Sequence, residues 1–510
     1  MSAFLRVGLP LGLTALALHI ATAGRYGYFR DELYFIACAH HPAWGYVDQP
    51  PLVALAAWFA EPFGYALLAL RILPIFAAAL TVALAVEFAR FLGGGRFAQW
   101  AAGLLTLLLP AHLLLGNTLT TTSFEPLTWM LAMYCALRIV RGGGAWWWVA
   151  LAAVFAFALY GKYSIALLAL SLLGGLLATP ARRALATPWF PTAIALTLLL
   201  VSPNLAWQAA HGWPIFEVLR NDALHRPTFQ NGLAPESRNL LANAGTFAIE
   251  QLLYANPLAA PIWIAGIVAP FRVRALRDQR FIAIAAAVVL LGAIALGAKG
   301  YYVIGMYGSL LAIGCVWLEH LRPAWRASLL GAALALGAFA LPLALPLLPI
   351  DALVGYTHAL GLTGRGGAPP HLVQPVYAEE FGWNRLARDV ARVYDALPPR
   401  LRDRATIYAD TYADAGALDF FGPRYGLPPA ISSQNSYYLW GTNGDDGSTL
   451  IAIGATRIDL LRRYYRRVRL IAISREPYRW IVEGPAPIYL CEDPIAPLPV
   501  IWPHLRWYGA

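Results

Sequence analysis

The chain has 510 residues, of which 59% are hydrophobic and 13% charged, with a formal net charge of +10. An ordinary soluble domain carries about 25% charged residues, so that class is excluded. The positive charge comes from arginine and fits the positive-inside bias of membrane proteins, not nucleic-acid binding.

Apolar runs near the ~20 residues of a membrane-crossing helix recur as far as residue 350. The first, Phe4 to Thr22, has no small-residue cleavage site before the charged loop that follows it. Further spans follow, so it reads as a retained helix and not a signal peptide. Hydrophobic length predicts about eleven spans, near 4–23, 65–90, 97–113, 118–138, 145–160, 164–179, 188–208, 248–270, 280–297, 301–320 and 327–348. The stretches 31–41 and 50–63 are too short to cross and predict interfacial helices.

Arg6, Arg90, Arg96, Arg138, Arg141, Arg182, Arg183, Arg272, Arg274, Arg277, Arg280, Arg322 and Arg326 fall in alternate connections. That alternation puts the N-terminus in the cytoplasm. The connections 24–64, 113–118, 160–164, 209–247 and 297–301, and everything after 349, then face outward. Beyond residue 350 charges become frequent. Helix patterns at 383–397, 411–420 and 456–466 alternate with strand patterns at 406–409, 429–432, 449–453, 467–473 and 487–491. This predicts a small α/β soluble domain over 350–510, after a transmembrane domain over 1–349. A Gly- and Pro-rich linker at 360–376 marks the boundary.

Cys38, Cys135, Cys315 and Cys491 are scattered and form no Cys-x-x-Cys pair. They read as small apolar fillers. His211 and His225, in the 209–247 loop, lack tight metal-ligand spacing. That loop's Trp213–Leu224 stretch is amphipathic, as for a helix lying on the membrane. The basic run from Arg462 to Arg467 reads as a solvated helix end.

The polar groups of chemical interest fall on the outward face. Arg25, Arg30, Asp31 and Glu32 stand in the first outer loop, and Asp48-Gln49-Pro50-Pro51 opens its second interfacial helix. Adjacent carboxylates at a bilayer surface cost solvation energy, which makes them candidates for function. On a helix they point about 100° apart, so one can face a cavity while the other pairs with a cation. Glu125 stands near the outer end of the fourth span, before a helix-perturbing proline. The chain's two lysines, Lys162 and Lys299, each follow a hydrophobic segment and have tyrosines close after them: Tyr163, and Tyr301 with Tyr302. Lysines so placed can snorkel to the interface or clamp a phosphate.

The Asp-Glu loop followed by Asp-x-Pro-Pro resembles the membrane glycosyltransferases of the GT-C class. Similar families are the dolichyl-phosphate-mannose protein mannosyltransferases, the lipid A aminoarabinose transferases and the rhizobial galacturonosyl transferases. The resemblance covers roughly residues 1–330. The run from Gly422 to Pro429 looks like a segment recurring in bacterial members. The resemblance implies a GT-C-like fold, with Asp31 as the catalytic carboxylate. Glu125 stands where relatives often carry a second aspartate. Lys299 with Tyr301 and Tyr302 resembles the basic element that holds the donor phosphate, and Lys162 joins it by position and chemistry.

The implied partners are a polyprenyl-phosphate sugar donor, the lipid bilayer, and a glycan, lipid or protein acceptor. The implied location is the inner membrane of a bacterium. Asp31 would take the acceptor proton, while Lys162, Lys299, Arg25 and Arg30 would stabilise the departing phosphate. One displacement inverts the anomeric centre. No cofactor is evident. The wider class leaves room for a divalent metal, but the sequence shows no clear site. The rival reading is a transporter or flippase of lipid-linked sugars, which calls for charges and broken helices near the midplane.

Overall fold

The computed structural model describes residues 4–224, 240–362, 375–454, 458–479 and 485–509. His225, Arg226 and most of the expected linker lie outside them. The described chain clusters into two compact units. The first is drawn from Met1–Arg25, Arg71–Ala206 and Glu236–Pro349, the second from Tyr26–Leu70, Trp207–Pro235 and Ile350–Ala510.

The first unit is helical. Trp129, Phe281, Tyr307 and Leu310 lie at its fully buried core. Small residues let its helices close on one another. A Cβ on Gly266 would strike the backbone of Leu310, and one on Gly314 that of Ile262. The helices Ala260–Arg272 and Tyr307–Glu319 therefore approach backbone to backbone, the packing membrane helices use where no hydrophobic force drives them together. Leu170, Leu199 and Leu291 stand largely exposed, as lipid-facing side chains do. The chain is a multi-pass membrane protein.

Among the described residues five helices are long and apolar enough to span a membrane, or up to eight if each bent pair counts as one span. The expected eleven are not reproduced by that measure. Two expected spans are interrupted. The 97–113 run bends by 59° between Arg96–Leu107 and Pro110–Gly116, because the residue before a proline avoids the helical region. Just past the expected 164–179 span, the helix Ile165–Leu177 turns by 111° into Pro180–Ala186. The 248–270 run breaks by 92° before Pro257. There Asn256 adopts φ 64°, accepts from the Leu258 N–H with its side chain, and donates to the Ala333 carbonyl at 2.8 Å. Asn tolerates this left-handed backbone because its short polar side chain bonds locally. The 118–138 run is helical only from Glu125 to Val140.

The second unit holds a five-stranded sheet in the order β2-β1-β3-β5-β4. The strands are β1 Ala405–Ala409, β2 Ala430–Ser432, β3 Thr449–Ile453, β4 Tyr465–Ser474 and β5 Ala486–Pro494. β2, β1 and β3 run parallel, and β5 is antiparallel to β3 and β4. β3 is buried throughout, the continuous apolar run expected of an internal strand covered on both faces. The helix Trp383–Asp395 buries Trp383, Leu386, Val390 and Val393, spaced for one face. The basic run divides between the helix Ile458–Tyr464 and β4, where Arg467 pairs with Asp493 at 2.8 Å.

The same unit contains the segment that carries Asp31 and Asp48, folded as helices Arg30–His40 and Leu52–Phe59. It also contains the helix Pro214–Leu224. That helix packs Val218 with Val47 and Tyr508, so part of its apolar face lies on protein.

Candidate functional site

Two polar clusters gather the expected residues, one in each unit. In the second unit, Asp31 and Glu32 occupy the first turn of the Arg30–His40 helix, where the helix dipole favours negative charge. Their directions divide their tasks. Glu32 is fully buried, and its carboxylate accepts from the Phe29 N–H at 2.8 Å. It closes the helix start.

Asp31 faces outward, with 31% of its side chain exposed. Its Oδ1 accepts from the Tyr412 hydroxyl at 2.9 Å, and that hydroxyl accepts from Arg30 at 3.0 Å. The Arg30 guanidinium also lies 3.6 Å from Asp31 and over the Tyr412 ring.

Tyr412 begins the helix Tyr412–Phe421, capped by the Thr411 hydroxyl. Gly416, one turn on, lets this helix reach the first-loop helix. A Cβ there would lie 2.8 Å from the Leu33 carbonyl carbon and 3.0 Å from the Tyr34 nitrogen. The Tyr412 ring lies beside that of Tyr34, tilted by 33°, with ring centroids 4.6 Å apart. The Tyr34 hydroxyl donates to Asp48 at 2.8 Å and accepts from the Ser436 N–H at 3.2 Å. Two carboxylates, Asp31 and Asp48, are thus joined through two adjoining tyrosines.

Burial pushes the Asp48 carboxyl up to about 7; the Tyr34 hydrogen bond opposes the rise, and the Asp31 charge adds to it. Burial also holds both phenols well above their ordinary range. They stay protonated and act as donors.

In the first unit, Lys162 ends the helix Trp146–Gly161 in extended backbone. Its ammonium donates to Thr122 Oγ1 at 2.7 Å and lies 3.9 Å from Glu125. It also stands over the rings of Tyr301 and Tyr302, at 4.9 and 4.4 Å from their centroids. Glu125 is buried and accepts a hydrogen bond from Ser164.

Pro126 does not perturb this helix, contrary to expectation. It sits in the first turn, where its missing N–H is an orphan in any case. Lys299 immediately precedes the short helix Gly300–Met306 that carries both tyrosines. Gly300 is packed against the side chains of Glu250 and Gln251, which a Cβ there would displace. Arg25 lies apart from the Lys162 cluster and donates to the carbonyls of Ala21 and Leu347.

Sequence reasoning missed Tyr412 and Tyr34, the tyrosine pair that joins the carboxylates. It missed the buried Glu250 and Arg71 as well. Arg71 is wholly enclosed and donates to the Ala23 carbonyl at 2.7 Å. An ionisable residue inside an expected span is itself a signal, and it would have flagged Arg71. Tyr412 carries no comparable local mark. Among the described residues no three His, Cys, Asp or Glu side chains gather as a metal site.

No curated protein matches the chain in sequence. Residues 48–207 match the family described as dolichyl-phosphate-mannose-protein mannosyltransferase. The crystal structure of ArnT from Cupriavidus metallidurans bound to undecaprenyl phosphate is similar in fold. Its TM-score is 0.60 at 14% identity, over 94% of this chain and 97% of that one. The apo structure of the same protein gives 0.59 at 14% identity, with the same coverage. The matched segment and the shared fold together support the GT-C class of membrane glycosyltransferases.

Proposed function

We propose that the chain transfers a sugar from a polyprenyl-phosphate donor to a lipid, glycan or protein acceptor at the outer face of the inner membrane of a bacterium, with inversion. The reaction asks for two chemistries, and each unit carries one. The acceptor hydroxyl needs a base, and Asp31 is exposed enough to take its proton while Tyr412 and Arg30 hold the carboxylate in place. The leaving phosphate needs cations placed where charge develops, and Lys162 and Lys299 supply them. Glu125 holds the Lys162 ammonium until a phosphate oxygen replaces it. Glu32 belongs to the helix cap, and Asp48 supports the acceptor side. Tyr301 and Tyr302 wall the ammonium.

The observation that carries this reading is the Asp31–Tyr412–Tyr34–Asp48 assembly. It orients one exposed carboxylate through groups that come from far apart in the chain. The ArnT crystal structure bound to undecaprenyl phosphate supports the choice of donor.

The test separates transfer from translocation. Purified protein in proteoliposomes receives a radiolabelled polyprenyl-phosphate sugar and a membrane acceptor fraction. Label bound covalently to acceptor is expected, and Lys162→Ala and Lys299→Ala should each weaken donor binding by about 1–3 kcal/mol. Donor that changes leaflet with no new glycosidic bond would establish the flippase instead.

A further inference from the structure

A cavity lies in the same unit as Asp31. It has a volume of about 390 Å³, within the range of small-molecule sites. His40 and His41, at the end of the Arg30–His40 helix, form one side, and Pro423, Pro428, Pro429, Asp419, Trp440 and Asn443 are among the residues that line the others. Neither the proposed base nor the phosphate-binding cluster uses any of these side chains.

The walls have a definite character. The His41 and Trp440 rings are stacked 4.1 Å apart and 10° from parallel, and Tyr437 meets Trp440 at 4.5 Å. The Asp419 carboxylate accepts from the Ala430 N–H at 2.7 Å and from the Tyr437 hydroxyl at 2.6 Å. Those bonds fix its orientation. A carboxylate has about four acceptor positions, so further donors can still be met. The prolines hold their wall in a fixed backbone shape, which lowers the ordering cost of binding.

Among the described residues no arginine or lysine lines the cavity, so it lacks the permanent cations that hold a phosphate or a sugar acid. Its polar atoms make it unsuited to an acyl chain. Aromatic faces, one fixed carboxylate and one carboxamide suit an uncharged ring bearing hydroxyl donors and apolar C–H edges. Ala37, the lining residue nearest Asp31 on this helix, is six residues beyond it, about 9 Å along the axis. A ring in this cavity is too remote to be the one that receives the transferred sugar.

We propose that this cavity binds an uncharged pyranose of an extended glycan, distal to the acceptor hydroxyl. The identification of that glycan as the acceptor rests on the transferase reading above; the binding of a neutral saccharide does not. Energy from a remote contact of this kind is available to orient the reacting end.

The experiment uses the full chain in detergent. It titrates mannotriose, cellotriose and maltotriose against trigalacturonic acid, read by saturation-transfer NMR and tryptophan fluorescence. At least one neutral trisaccharide should bind saturably, and trigalacturonic acid should not compete. Trp440→Ala and Asp419→Asn should each weaken binding by about tenfold or more, the scale of one lost stacked ring or charged hydrogen bond. Asn443→Gly removes a loop side chain while suiting its positive φ of 55°, and should weaken binding in a variant that keeps the fold.

The proposal is overturned if no neutral trisaccharide binds, if the acidic one binds as well, or if a folded variant binds as wild type does. Binding of a labelled polyprenyl-phosphate sugar to the wild-type chain, measured alongside, tests the transferase reading. Donor bound without trisaccharide removes the cavity's role alone. Trisaccharide bound without donor removes the transferase reading and leaves the cavity's role supported.

Discussion

Asp31 and Asp48 show how one pair of like residues is given two environments. Asp31 keeps an exposed edge and receives one hydroxyl donor beside a guanidinium. Asp48 is half-buried, and desolvation lifts its carboxyl to about 7. Asp31→Asn preserves shape and removes basicity. Turnover in the transfer assay is expected to fall about 10²-fold or more, while donor binding persists. Wild-type turnover in that variant would move the base to Asp48 or Glu125. The Asp48 shift has its own consequence. An unfolded aspartate titrates near 3.9, so between about 4 and about 7 the folded chain keeps a proton that the unfolded chain has lost. Stability from this group is therefore present at low pH and lost as pH rises through that window. The melting temperature of Asp48→Asn minus that of wild type should grow from pH 4 to 7 and then level off. A difference independent of pH would show that Asp48 is not held protonated. Asp31 and Asp48 were legible in the sequence because carboxylates in an apolar context stand out. Tyr412 was not, since it lies 381 residues beyond Asp31 and one tyrosine among many carries no periodic signal.

The elements around Asp31 are held by a close crossing of two helices. The Tyr412–Phe421 helix meets the Arg30–His40 helix at Gly416, where a side chain would lie within 3.0 Å of the Leu33 and Tyr34 backbone. Gly416→Val must separate the helices. Overpacking of this kind costs typically 1–3 kcal/mol, and the displaced Tyr412 would release Asp31. Lower thermal stability should accompany loss of transfer, whereas Gly416→Ala should show a smaller loss of both. Gly416→Val with wild-type stability and transfer would mean that the crossing has room the structure does not show. The helix Tyr412–Phe421 and all five strands lie within a few residues of their expected positions, because alternating apolar runs and turn residues are local signals. The crossing itself depends on which helix meets which, and no local pattern records that.

At the scale of the molecule, apolar length revealed a multi-pass chain, while its count of eleven spans is not matched by the five to eight that pass on helix length and composition among the described residues. Length alone cannot tell a straight helix from one broken by Asn256 or by the approach to Pro110, since both breaks keep the surrounding residues apolar. Arginine placement is a different signal and does not depend on where helices bend. Arg90 and Arg96 flank one connection, Arg138 and Arg141 another, Arg182 and Arg183 a third, and Arg272 to Arg280 a fourth. Connections rich in arginine stay on the cytoplasmic side. The connections bearing Asp31, Lys162 and Lys299 alternate with these, so they and the Ile350–Ala510 segment are expected outside. A reporter enzyme active only beyond the inner membrane, fused after Ala510, should therefore be active. A second fusion between Arg182 and Arg183 should be inactive while a cytoplasm-dependent reporter at the same place works. If the C-terminal fusion is well expressed yet inactive, the segment lies in the cytoplasm, and Asp31 would have to meet its acceptor from a sheet domain on the wrong side of the bilayer.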